Sequence, residues 1–139
     1  MIFLDTSYYI ALINPKDPFY KKSWKILKEL EKGVYGTPFT SNLVMSEAAI
    51  LTAIRTKKNP EAIATMRSLF VGEIRIATML RCSEDVELRA WDLFEKVNRT
   101  VEQPMSYVDC TNIVLAQQNH IGMIIAYDTH FEGWFQQIQ

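Results

Sequence analysis

Short apolar runs alternate with longer amphipathic stretches along this chain, and that alternation predicts an α/β fold. Ile2-Phe3-Leu4 reads as a short buried strand. Ser7 to Asn14 reads as a helix ended by Asn14-Pro15, because the residue before a proline is pushed out of the helical region. Asp17-Pro18 opens the next helix and Gly33 stops it, with Trp24, Leu27 and Glu31 on one side. Tyr35 to Thr40 reads as a second strand. Ser41 or Asn42 caps a helix running to about Thr56. Asn59-Pro60 caps another, which carries Ile63, Met66 and Phe70 at helical spacing. The alternation of Ile74 and Ile76 predicts a third strand over Glu73 to Ala77. Ser83 caps a helix bearing Val86, Leu93 and Val97, and Glu84, Asp85 and Glu87 suit the positive end of its dipole. Ser106 caps the next helix, Gly122 ends it, and residues 123–126 form a fourth strand. The tail from Phe131 to Gln139 contains Trp134 and Phe135. Strands alternating with helices predict a mainly parallel central sheet of about four to five strands, flanked by helices.

Length and composition bound this picture. A chain of 139 residues is expected to form one domain, spanning 1–139, with a proper core. Its 48% hydrophobic and 22% charged content exclude a disordered chain. No apolar run approaches the ~18–20 residues needed to cross a bilayer. No basic region precedes the first apolar residues, so no signal peptide and a cytoplasmic location are the expectation. Cys82 and Cys110 lack metal-site spacing and read as small buried thiols. A net charge of −1 is unlike that of a purely electrostatic DNA binder. An acidic active site, however, lowers the net charge of a nuclease without removing a basic rim. Six lysines (16, 21, 22, 25, 28 and 32) decorate the second helix and read as a solvated face.

The candidate chemistry lies in carboxylates. Asp5 closes the first strand and Asp128 follows the fourth; Glu47 and Asp109 stand near the starts of two helices. Ligands in open α/β sheets bind beyond the carboxyl ends of the strands. Carboxylates gathered there repel one another unless a cation neutralises them, and hard oxygen ligands suit Mg²⁺ or Mn²⁺. Each residue also has a plainer reading. Asp5 suits a helix N-cap, Asp128 suits a turn, and Ser106-Tyr-Val-Asp109 matches a capping box. Glu47 shares a stripe with Ile50 and Ile54, taken as the inward face, where its alternative is a buried ion pair with an Arg. Asn112 lies one turn beyond Asp109 and extends a polar cleft. His120 and His130 have no partners at metal-ligand or triad spacing, and no phosphate-binding glycine loop or nucleophile elbow is present.

In order and spacing, four segments resemble the PIN-domain family, and within it the VapC-like toxins of toxin–antitoxin pairs. They are Ile2-Phe3-Leu4-Asp5-Thr6-Ser7, then Thr40 to Glu47, then Ser106-Tyr107-Val108-Asp109, and finally Ile125 to Phe131. The resemblance implies that Asp5, Glu47, Asp109 and Asp128 form an acidic quartet binding Mg²⁺ or Mn²⁺. It also implies that Ser7, beside Thr6, supports the first Asp, and that Phe131 is the aromatic three residues after the last. Many members carry Thr or Ser two residues before that last Asp, where this chain has Ala126. One supporting hydrogen bond fewer beside Asp128 is therefore expected. The implied activity is metal-dependent endoribonuclease cleavage of RNA. The implied partner is a cognate antitoxin, and the C-terminal aromatics and small size of the chain fit a homodimer. Basic rim candidates are Lys21, Lys22, Lys25, Arg55, Lys57 and Lys58. The alternatives are a binding module whose acidic pocket receives a basic partner segment, or a PIN nuclease of RNA processing outside a toxin pair.

Overall fold

A computed structural model describes residues 1–100 and 103–139. Its centre is a five-stranded, all-parallel sheet in the order β3-β2-β1-β4-β5. The strands are β1 (Ile2–Leu4), β2 (Pro38–Ser41), β3 (Thr78–Leu80), β4 (Met123–Ile125) and β5 (Gln136–Ile138). Between them lie α1 (Thr6–Ile13), α2 (Tyr20–Glu31), α3 (Asn42–Arg55), α4 (Pro60–Phe70), α5 (Glu84–Val97) and α6 (Tyr107–Gln118). Ile2, Phe3 and Leu4 are all fully buried. Successive strand residues point to opposite faces, so β1 is covered on both sides.

The order of strands fixes where a ligand can sit. From β1 the chain winds outward through β2 and β3, then returns to lay β4 on the other side of β1. The two halves diverge between β1 and β4, and the crevice beyond their carboxyl ends is the topological switch point. Asp5 leaves β1 and Asp128 follows β4, so both stand at that crevice.

Most helix starts follow their predicted caps. Ser41, Asn59, Ser83 and Ser106 each accept a hydrogen bond from a backbone N–H in the first turn. Helix α2 begins at Tyr20, later than expected, because Asp17 Oδ1 accepts from Phe19 N (2.8 Å) in a turn that delays it. Strand β2 begins at Pro38, not Tyr35. Gly36 intervenes with φ +74°, and a Cβ there would stand 2.8 Å from Met1 N. The third strand is displaced most. Ile74, read as a strand residue, is 69% exposed, and the pairing strand is Thr78–Leu80. Arg75 folds back onto Gly72 O through its guanidinium (3.1 Å), which makes this stretch a turn leaving α4. Helix α6 ends at Gln118, and His120, not Gly122, takes the left-handed conformation (φ 56°). Cys110 is buried and Cys82 is half-buried; both are free thiols.

Candidate active site

Asp5 is the centre of the cleft, and it is both a cap and a site residue. It is 2% exposed and stands as the N-cap of α1. Its Oδ2 accepts from Ser7 N at 3.2 Å and from Ser7 Oγ at 2.8 Å. Its Oδ1 accepts from Asn112 Nδ2 at 3.2 Å, which ties β1 to α6. Ser7 Oγ in turn accepts from Tyr127 N at 3.0 Å, in the chain leaving β4. One serine thus braces the carboxylate and anchors the residue before Asp128. Burial, then the charges of Asp109 and Asp128, push the Asp5 carboxyl up to about 7, against the opposing bonds from Ser7.

Asp109 realises only half of its capping-box reading. Its N–H donates to Ser106 Oγ at 3.0 Å, but its carboxylate turns elsewhere. Asp109 Oδ2 lies 2.9 Å from His130 Nδ1, and the carboxylate is almost fully buried. Asp128 forms the expected turn, with Oδ1 accepting from His130 N at 3.1 Å. The same oxygen is 3.9 Å from His130 Nδ1. Burial and the charge of Asp109 hold the Asp128 carboxyl above its usual range.

Glu47 reaches this cleft, but not along the stripe the sequence suggests. Ile50 and Ile54 are 57% and 64% exposed, so that stripe faces outward. The buried side of α3 is Val44, Ala48 and Thr52. No Arg pairs with Glu47; among the described residues the Lys or Arg ion pair is Arg89 with Asp85. Burial raises the Glu47 carboxyl, the nearby Thr6 hydroxyl opposes this, and the charges of Asp109 and Asp128 add to it. Thr6 Oγ1 itself is buried without a hydrogen bond of good geometry, so its effect on Glu47 is one of proximity.

Several groups here are invisible to sequence reasoning. His130 is the main one: burial alone would lower its pKa, but the bond to Asp109 and the charges of Asp128, Asp109 and Asp5 outweigh it and raise it. Its spacing to Asp128 was on view; its contact with Asp109, across the fold, was not. Gln137 on β5 is another. Its Nε2 donates to Asp128 O at 2.7 Å and to Ala126 O at 3.4 Å, so the β4 exit is held from the edge strand beside the alanine. The basic rim divides. Lys21, Lys22 and Lys25 are exposed on α2. Arg55 and Lys57 line a cleft with Lys16 where α1 and α3 end, and Asp5 caps the opposite end of α1.

The donor set fits a hard divalent cation. Asn112 Oδ1 is buried with no partner, and so is Thr6 Oγ1; they stand beside Asp5 and Glu47, whose carboxyls the charges of Asp109 and Asp128 help to raise. Among the described residues, no three His, Cys, Asp or Glu side chains close on one point as a ready cage. Mg²⁺ does not require one, since it keeps several waters and uses one or two carboxylates together with substrate phosphate oxygens.

Comparisons with known proteins bear on the fold and the family. A curated VapC ribonuclease of Archaeoglobus fulgidus is 27% identical over 128 residues, covering 92% of this chain and 77% of that protein. The crystal structure of Mycobacterium tuberculosis VapC20, described as a sarcin–ricin loop cleaving toxin, matches with TM-score 0.78 and 25% identity over 98% of both chains. A toxin–antitoxin complex from Klebsiella pneumoniae shares the fold at 14% identity and TM-score 0.67, covering 100% of this chain and 97% of that one. The PIN-domain family profile matches residues 2–133, and the chain belongs to the PIN-domain family.

Proposed function

We propose that this protein is a Mg²⁺- or Mn²⁺-dependent endoribonuclease and the toxin of a toxin–antitoxin pair. One observation carries the reading. Asp5, at the switch point, is held by Ser7 and Asn112 and pushed up to about 7 by burial and by Asp109 and Asp128, with Glu47 facing the same acids. Carboxylates assembled against their own repulsion, beside buried oxygens without partners, support a site for a divalent cation. The names of the Archaeoglobus and Mycobacterium relatives support RNA as substrate. The Klebsiella complex supports a protein antitoxin as partner. Pairing of two chains as a homodimer is part of the same proposal.

Asp5, Asp109 and Asp128 would hold the metal, and Glu47 would hold a second ion or orient the attacking water. A divalent ion held by these residues would supply a lowered pKa for that water and charge stabilisation at the scissile phosphate. Ser7 and Asn112 fix both oxygens of Asp5, so no rotamer search precedes binding. His130 keeps Asp109 turned into the cleft. A basic antitoxin side chain entering the cleft would neutralise the same acids and exclude the metal. The test is the chemistry of the product ends. Attack by water leaves linear phosphate monoesters and tolerates a 2′-deoxy sugar at the cut. Products ending in 2′,3′-cyclic phosphate would show that the ribose hydroxyl is the nucleophile and sink this mechanism.

A further inference from the structure

A cleft of about 560 Å³ opens next to the carboxylates, and none of the four acids lines it. Met105, Gln103, Thr129, His130, Glu132 and Trp134 are on its walls. His130 belongs to both places: its Nδ1 meets Asp109, and its ring forms part of this wall. Trp134 is 41% exposed, a large aromatic surface left to solvent. It is not loosely held. Gly133 takes φ +84°, and Trp134 N donates to Phe131 O at 3.0 Å. Phe131 is fully buried, so the turn that presents the indole is pinned to the core.

The lining says what kind of group fits. Glu132 puts a carboxylate on the wall, and among the described wall residues His130 is the one able to carry positive charge. A phosphate would be poorly held there, whereas a neutral planar base would find an indole face and amide and hydroxyl groups for its edge. The volume is that of a small-molecule site.

We propose that this cleft is a nucleobase subsite, in which Trp134 stacks on one unpaired base next to the scissile phosphate at the neighbouring acidic cleft. The inference rests on the ribonuclease reading and adds what that reading lacks, a contact to the base next to the cut. It makes the preferred RNA single-stranded at that position, since a base in a helix has both faces covered.

The test uses an RNA oligonucleotide scanned with single abasic nucleotides. Trp134→Ala is expected to raise KM about tenfold with kcat little changed, and Trp134→Phe to retain most of the affinity. In the unaltered protein, one abasic position near the cut should raise KM by a similar factor, and Trp134→Ala should erase that penalty. An unchanged KM in Trp134→Ala, or abasic penalties that persist in it at every position, overturns the subsite while leaving the nuclease intact. A second measurement covers a Trp134→Ala protein that fails to fold, and a protein that fails to cut. Trp24→Phe/Trp91→Phe/Asp5→Asn protein in Mg²⁺ leaves Trp134 as its one indole, and added RNA should quench it. Quenching without cleavage by the parent protein keeps the subsite and removes the nuclease reading. Binding of RNA without quenching, or an emission maximum that shifts with protein concentration and ignores RNA, overturns the subsite in favour of a remote contact or a second copy of the chain.

Discussion

His130 Nδ1 lies 2.9 Å from Asp109 Oδ2, so a loop histidine two residues after Asp128 pairs with an acid on α6. The pairing raises the histidine pKa above its ordinary value of 6.5, despite partial burial. A raised folded-state pKa gives stability that is present below the unfolded pKa and is lost as pH rises through the folded one. His130→Gln should therefore cost about 1 kcal/mol near pH 5.5 and close to nothing near pH 9, a modest effect for a pair partly open to water. Chemical denaturation at the two pH values measures it. An equal loss at both would assign His130 a packing role.

Asp5 tilts stability in the same direction, but by favouring the neutral form of an acid. Its folded pKa, about 7, lies above the ordinary 3.8, so the folded state binds the extra proton between those values. Metal-free protein should lose stability as pH rises from about 4 to about 7, with a ceiling of about 4 kcal/mol from this residue. Glu47 and Asp128 are also raised and tilt the curve the same way. Asp5→Asn should flatten the slope, leave the metal-free protein at least as stable near pH 7.5, and abolish cleavage. An unfolded Asp5→Asn protein would make Asp5 a structural cap first.

Glu47→Gln separates catalysis from packing. With no Arg partner on α3's neighbours to strand, stability should change by less than about 1 kcal/mol. RNA cleavage should fall at least tenfold, about 1.4 kcal/mol of transition-state stabilisation. Normal activity per folded molecule would remove Glu47 from the site.

The sequence carried the strand-end acids clearly, because Ile2-Phe3-Leu4 and Met123 to Ala126 are apolar runs with an acid just beyond each. Asp109 followed from its Ser106 cap. Glu47 was singled out by a stripe with Ile50 and Ile54 that proves to be solvent-facing, so the sequence reason for it does not hold. Strand β3 was placed too early because Ile74 and Ile76 mimic strand alternation within a turn. The tail strand β5, Gln136-Gln137-Ile138, is a polar edge strand without an apolar pattern. The partners of Asn112 and His130 are 107 and 21 residues away in sequence, and local spacing carries no trace of such contacts.

Asn112 offers a test of the cleft's charge. It is fully buried, donates to Asp5, and leaves Oδ1 unpartnered. Asn112→Asp adds another acid against Asp5 and should destabilise metal-free protein by about 1–3 kcal/mol near pH 7.5. Mg²⁺ or Mn²⁺ should recover more stability in this variant than in the parent, read as the rise in Tm on adding the ion. Equal rises would place the ion away from Asn112 and Asp5.

The most direct test of the account is RNA cleavage by protein stripped with EDTA, then supplied with Mg²⁺ or Mn²⁺, with Asp5→Asn protein purified alongside. Cleavage should be absent after stripping, return with the ion, and stay absent in Asp5→Asn at every ion concentration. Undiminished cleavage in EDTA, or equal cleavage by Asp5→Asn protein, would contradict a metal-dependent nuclease built on these carboxylates.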